Sequence, residues 1–392
     1  TTNGFTTADV QAPIIAEVTK VPTPSNDSTP SYVFSSNEAG EIIYSGSCSS
    51  STTSASVGNN NVTFSTLSAG TYSDCVISVK DTSANESAKL YVNTFIVDDN
   101  PPVVDTIIPP NNTTGVSVNT SLTLKFSESM DNATLTVNTT GTSCSGSIQL
   151  SSDSFSSCVK MSAQPSVSDS DRIYVVTPFT SLSGETVYKI KVTTLAKDAA
   201  GIAMGSDYET STGFSTEDIT APVLSEVTAV PTPGRDSTPD YTFSTNEAGT
   251  LTYSGSCSSL DNNTAISTGS RTVTFTALAD GTYSDCIVSV KDSSSNIGSL
   301  SLSLFRIDLT QPSMTSISPA DGATAVSVNS AIRISFSEAM DNSSVTGNTS
   351  DTTCSRSIQV SSDNFTSCIE MASSPSASAS SRIFEGTPAT SL

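Results

Sequence analysis

"QAPIIAEVTKVPTPSNDSTPSYVFSSNEAG", residues 11–40, returns as "TAPVLSEVTAVPTPGRDSTPDYTFSTNEAG", residues 220–249, a shift of 209 positions. A different stretch, "VSVNTSLTLKFSESMDN" at 116–132, returns as "VSVNSAIRISFSEAMDN" at 326–342, a shift of 210. The chain therefore alternates two unlike units, A and B, each written twice. Repetition is the first fact about its architecture.

Inside unit A, the runs "TPSYVFSS", "GEIIYSGS", "NVTFSTL", "YSDCVISVKD" and "AKLYVNTFIVD" mostly alternate in polarity and are separated by Gly, Asn, Asp and Ser. That is the pattern of short half-buried strands, and a unit of this size with this many strands matches an immunoglobulin-like sandwich. Pro22, Pro24 and Pro30 cannot donate to a central ladder, so they belong on an edge or in a loop. Unit B reads the same way through "SLTLKFSESM", "GSIQLSS", "DRIYVVTP" and "VYKIKVTT". The expected fold class is all-β, a tandem A-B-A-B array of Ig-like β-sandwiches, with A1 at 9–99, B1 at 100–217, A2 at 218–309 and B2 at 310–392. "GFTTADVQAP" from Gly4 matches "GFSTEDITAP" from Gly213, so residues 1–8 read as the terminal strand of a preceding B unit, and B2 reads as incomplete. Two readings stay open: a window on a longer array, or a filament subunit whose incomplete B2 accepts a strand from its neighbour.

Composition narrows the function. Acidic residues number 38 against 16 basic, a formal charge of −22, and there is no His. Such a surface repels phosphate backbones and attracts divalent cations, which argues against a nucleic-acid partner. Without His, the commonest general base and zinc ligand are missing, so an enzyme here would have to run on carboxylates alone. No apolar run reaches the ~20 residues that span a bilayer, so no membrane insertion is expected in this segment.

The eight cysteines divide two per unit: Cys48 with Cys75, Cys144 with Cys158, Cys257 with Cys286, and Cys354 with Cys368. No CxxC spacing and no His partner suggests a metal or a nucleophile, so four intra-unit disulfides are expected, and with them an extracellular or cell-surface location.

Three acidic positions recur in unit A: Asp27 and Asp236 in "DSTP", Glu38 and Glu247 in "NEAG", and Asp81 and Asp292 after "VK". Three carboxylates at strand ends of one sandwich have the oxygen chemistry of a calcium site. The competing reading is local: Asp27 and Asp81 as turn caps. Calcium is the one cofactor the pattern admits. In unit B, Glu128 with Asp131 and Glu338 with Asp341 superficially resemble glycosidase acids, but aromatics are 6% and Trp is zero, so no sugar platform supports that reading and no enzyme is expected. Asn-x-Ser/Thr recurs, as at Asn26, Asn61, Asn112 and Asn364, and admits glycosylation in a secretory system.

With the repeats in hand, a resemblance can be named. Through "APIIAEV", "DSTPSYVFSSNEAG" and "GTYSDCVISVKD", unit A resembles the bacterial Ig-like domains of large surface proteins and adhesins. Through "PPNNTTGVSVNTSLTLKFSESMD" and "GIAMGSDYETSTGFST", unit B resembles the Ig-like domain family first defined in surface-layer proteins. The resemblance implies a structural repeat region of an extracellular stalk or filament on a microbial surface, giving length and stiffness. Its expected partners are copies of itself or the rest of a longer array, and a host or neighbouring-cell surface. The alternative function is an adhesin binding module. The linkers "VDDNPPVV" and "RIDLTQPS" are short and Pro-stiffened, which suits a spacer.

Overall fold

The computed structural model describes residues 7–392, so most of the expected terminal strand at 1–8 lies outside the described residues. The chain is all-β, without a helix among the described residues, and falls into two compact units that divide between Thr220 and Ala221.

The first unit holds A1 and B1. In A1, Ser31–Ser36 is the middle strand of an antiparallel sheet between Ile15–Thr19 and Gly58–Thr63. Its alternation "SYVFSS" points Tyr32 and Phe34 inward, both fully buried. A second sheet runs Ser54–Ala55, Gly40–Ser45, Val76–Lys80, Leu90–Tyr91, and contributes Ile42, Ile77 and Val79 to the same core. A two-strand ladder, Gly70–Tyr72 with Phe95–Val97, adds Phe95 and Val97. Without Trp, the core is organised by a row of smaller rings. Tyr32 stacks on Phe64, Phe64 on Phe95 and Tyr72 on Phe95, with centroids 6.3, 6.2 and 5.3 Å apart. Such pairs add about 0.5–1.5 kcal/mol each beyond their buried area.

B1 is a different sandwich. One sheet runs Val104–Ile108, Leu122–Phe126, Ile173–Val176, Ser166–Ser168; the other is built on Val187–Val192, which pairs with Ile148–Ser151, Tyr208–Glu209 and Phe214–Ser215. Leu122, Leu124, Phe126, Tyr174 and Val176 from the first sheet face Leu150, Ile190 and Val192 from the second in one core.

In the second unit, A2 repeats the A1 layout strand for strand, with Asp240–Thr245 central in one sheet and Gly249–Ser254 paired to Ile287–Lys291 in the other. The aromatic row returns as Tyr241, Phe275, Phe305 and Tyr283. Among the described residues, B2 forms one four-stranded sheet, Met314–Ser318, Ile332–Phe336, Ile383–Gly386, Ser376–Ser378. Its core shrinks to Val345, Ile358 and Phe384 with half-buried neighbours, and Ile334 and Phe336 lose the full burial of their B1 counterparts Leu124 and Phe126. The reason is geometric: the facing sheet of B1 is built on Val187–Val192, and among the described residues no B2 strand takes that place.

Each unit carries its own disulfide: Cys48–Cys75, Cys144–Cys158, Cys257–Cys286 and Cys354–Cys368, with Cα–Cα distances of 5.2, 5.1, 5.2 and 5.2 Å. In A1 the bridge joins the loop after Gly40–Ser45 to the start of Val76–Lys80. Gly46 makes that turn with φ of 79°, and a Cβ there would collide with the Asp74 carbonyl; Gly255 does the same against Asp285.

A bridge closing a loop of this length contributes about 3–4 kcal/mol on the chain-entropy account. Replacing Cys48 and Cys75 together by Ala should lower the opening free energy of the Val76–Lys80 amides by about that amount in native-state hydrogen exchange. The Ile287–Lys291 amides of A2, stapled separately, should not change. An equal fall in both would contradict independent stapling.

Candidate metal centres

The A1 carboxylates converge at the end of the sandwich where the preceding linker enters. Asp9 lies in that linker, Glu38 in the turn between Ser31–Ser36 and Gly40–Ser45, and Asp81 just after Val76–Lys80. One oxygen from each lies within 4.8 Å of the others. Asp81 is already well served: Oδ1 accepts from the backbone of Ser83 and Asn85 at 2.8 and 2.9 Å, and Oδ2 accepts from Asn85 Nδ2 at 2.9 Å. The Asn85 side chain, with these backbone donors, holds the Asp81 carboxyl below the usual carboxylate range. Asn85 Nδ2 also reaches the Asp9 carbonyl at 3.3 Å, and Asp9 Oδ1 accepts from Gln11 N at 3.0 Å.

Asp27 is not brought to Glu38 and Asp81; Asp9 stands in its place. Asp27 Oδ1 instead accepts from Thr29 N and Thr29 Oγ1 at 2.8 and 3.2 Å, an Asx-turn that starts the following strand. Asp236 makes the same turn with Thr238. In A2, Glu247 and Asp292 again come within 4.8 Å, and Asp292 Oδ1 accepts from Ser294 N and Asn296 N at 2.8 and 2.9 Å.

A second triad, Asp98, Glu128 and Asp198, stands where A1 passes into B1, again with one oxygen from each within 4.8 Å. Asp98 follows Phe95–Val97, and its N–H donates to Ser25 O at 2.9 Å, so A1 holds its backbone. Glu128 leaves Leu122–Phe126 in a turn pinned by Ser127 N to Val103 O at 3.0 Å and by the buried Met130. Asp198 closes its own tight loop: its N–H donates to Ile202 O at 2.9 Å, and its Oδ1 accepts from Ile202 N at 2.8 Å. Ala199 N, donating to Ser129 O at 2.9 Å, ties that loop to the Glu128 turn.

This site is far drier than the A1 site. Asp198 is 0% exposed, and its Oδ2 has no hydrogen-bond partner among the described residues. Burial pushes the Glu128 carboxyl up to about 7, helped by its hydrogen bond to Asp98 and by the charges of Asp98 and Asp198. Burial also raises Asp198, against the backbone N–H groups that favour its charge. Asp131 takes no part; its Oδ1 accepts from Ala133 N at 3.0 Å, and Asp341 caps the equivalent turn through Ser343.

Sequence reasoning missed Asp9, Asp98 and Asp198. A signal existed. Each linker carries an acid at a repeating position, Asp9 with Asp218 and Asp98 with Asp308, and "KD" before a turn occurs in both unit types, at Asp81, Asp292 and Asp198. All eight cysteines are in disulfides and the chain has no His, so the available ligands are oxygens, which suit calcium or magnesium over zinc.

Glu128 sets a pH dependence for EDTA-treated protein. Its folded carboxyl binds its proton more tightly than the ordinary value of 4.5, so the folded state holds more protons than the unfolded chain between 4.5 and about 7. That contribution to B1 stability is full below 4.5 and is lost as pH rises through about 7. Unfolding measured across this window should show the decline, and Glu128→Gln should flatten it. A B1 stability that rises with pH in both proteins would contradict the assignment.

Residues 98–216 and 308–381 match the family model for the bacterial Ig-like domain. No curated protein matches the chain. Among solved structures, the N-terminal part of the bacterial S-layer protein SbsC is similar at 16% identity over 53% of this chain and 44% of that one, with a TM-score of 0.23. The S-layer protein rSbsC(31-844) is similar at 12% identity over 74% and 51%, with a TM-score of 0.22. Native alpha-2-macroglobulin from Escherichia coli, domains MG0-NIE-MG1, is similar at 12% identity over 60% and 77%, with a TM-score of 0.21. The chain spans about half the length of the S-layer chains it matches. Through its two matched segments, this chain carries bacterial Ig-like domains at 98–216 and 308–381.

Proposed function

We propose that the chain is a structural repeat region of an extracellular stalk or filament on a microbial surface, supplying length and stiffness without catalysis. The observation that carries this reading is that each unit has its own core cluster and its own disulfide, so unlike units are stapled one by one along the sequence. Four disulfides and no free cysteine suit an oxidising compartment outside the cytosol. The match of the B units to bacterial Ig-like domains points the same way. A charge of −22 keeps such a surface soluble and repels anionic polymers; the partners we propose are the rest of a longer array, copies of the chain, or another cell's surface.

Immunogold electron microscopy of intact cells of the source organism, with an antibody to folded A1, tests this. Label on material projecting from the envelope is the expected result. Label confined to the cell interior, appearing only after permeabilisation, would contradict it.

A further inference from the structure

The B1 triad has a property that the A1 triad lacks. An acidic cluster alone is ordinary, but here a carboxylate with no solvent exposure leaves one oxygen, Asp198 Oδ2, without any donor, while its other oxygen is fixed by Ile202. Burying an unpaired anionic oxygen is costly, and two more carboxylates each bring an oxygen within 4.8 Å of a carboxylate oxygen of Asp198. No Lys or Arg forms a salt bridge with any of the three among the described residues. B2 repeats the feature in the two positions it shares. Asp308 and Glu338, the sequence counterparts of Asp98 and Glu128, each leave one carboxylate oxygen buried without a partner, although the other oxygen of Asp308 meets Arg306 at 3.0 Å.

We infer that Asp98, Glu128 and Asp198 form a calcium site that fastens the end of A1 to B1. Three carboxylates supply hard oxygen ligands and a formal charge that a divalent cation neutralises, and calcium accepts the irregular geometry of three separate loops more readily than magnesium does. The placement gives the site its purpose. The Asp98 backbone is held by Ser25 of A1, whereas Glu128 and Asp198 sit on turns of B1 that Ala199 N and Ser129 O join. A cation between them therefore bridges the linker 98–103 and removes its freedom to swing. This rests on the spacer reading only for its biological use; the binding itself stands apart from it.

The test is hydrogen exchange by mass spectrometry on the full disulfide-bonded chain at neutral pH, in EDTA, in millimolar calcium and in equal magnesium. Calcium should slow exchange of the amides at 98–104 and 197–203 at least tenfold, and Glu128→Gln should abolish the effect. Misfolding is separated by sign: Glu128→Gln removes a repelling charge, so in EDTA it should protect the same amides better than the parent protein does. No change at these peptides with calcium, the same protection in Glu128→Gln, or equal protection by magnesium would each overturn the calcium assignment. If calcium binds here and the surface labelling fails, the site stands and the spacer role falls.

Discussion

Each A sandwich depends on one packed row of rings. Tyr32, Phe64, Phe95 and Tyr72 pass the contact from one sheet to the closing ladder, and Tyr241, Phe275, Phe305 and Tyr283 repeat it. With hydrophobic residues at 35% and no Trp, a unit of this size has little other bulk to bury. The strands alternate because only alternate side chains can reach that row, and polar Ser and Thr fill the outward positions. B1 meets the same constraint with mostly aliphatic rows, Leu122 and Leu124 beside Phe126, against Leu150, Ile190 and Val192.

A small core leaves a small margin, and the disulfides act on that margin. Each bridge closes within a single unit, so reducing one weakens one sandwich and leaves its neighbours stapled. The junctions are then the weak points of the series, because a linker such as 98–103 has no core of its own. The linker acids Asp9 and Asp98 are placed at these points, each facing an acid from the second strand's exit and an acid from a later loop. Two unlike sandwiches carry the same arrangement of acids.

What the sequence made legible follows from range. Strand positions such as Ser31–Ser36 and Val187–Val192 are written in local alternation, and the repeat is written in plain identity. Cysteine spacing is readable because each bridge spans 14 to 29 residues inside one unit. The carboxylate triads are not local. Asp98, at the end of A1, and Asp198, late in B1, meet across 100 residues of chain, and periodicity carries no information about which loop tips share a pole. Asp27 misled for the complementary reason: an Asp three residues before a Pro fits an Asx-turn as well as a ligand set, and the turn won. B2 was legible as a partial unit from its alignment with B1, and among the described residues it forms one four-stranded sheet beside an intact "FSEAMD".

The chain is a series of sandwiches, each with its own core cluster and its own bridge. Single-molecule pulling of the full chain, with and without a reducing agent, tests it most directly. Separate unfolding events are expected, lengthening on reduction by about 90–100 Å for each A unit, whose bridge spans 27 or 29 residues, and by about 45–50 Å for B1, whose bridge spans 14. A single event opening the whole chain, or events whose lengths ignore the reductant, would contradict it.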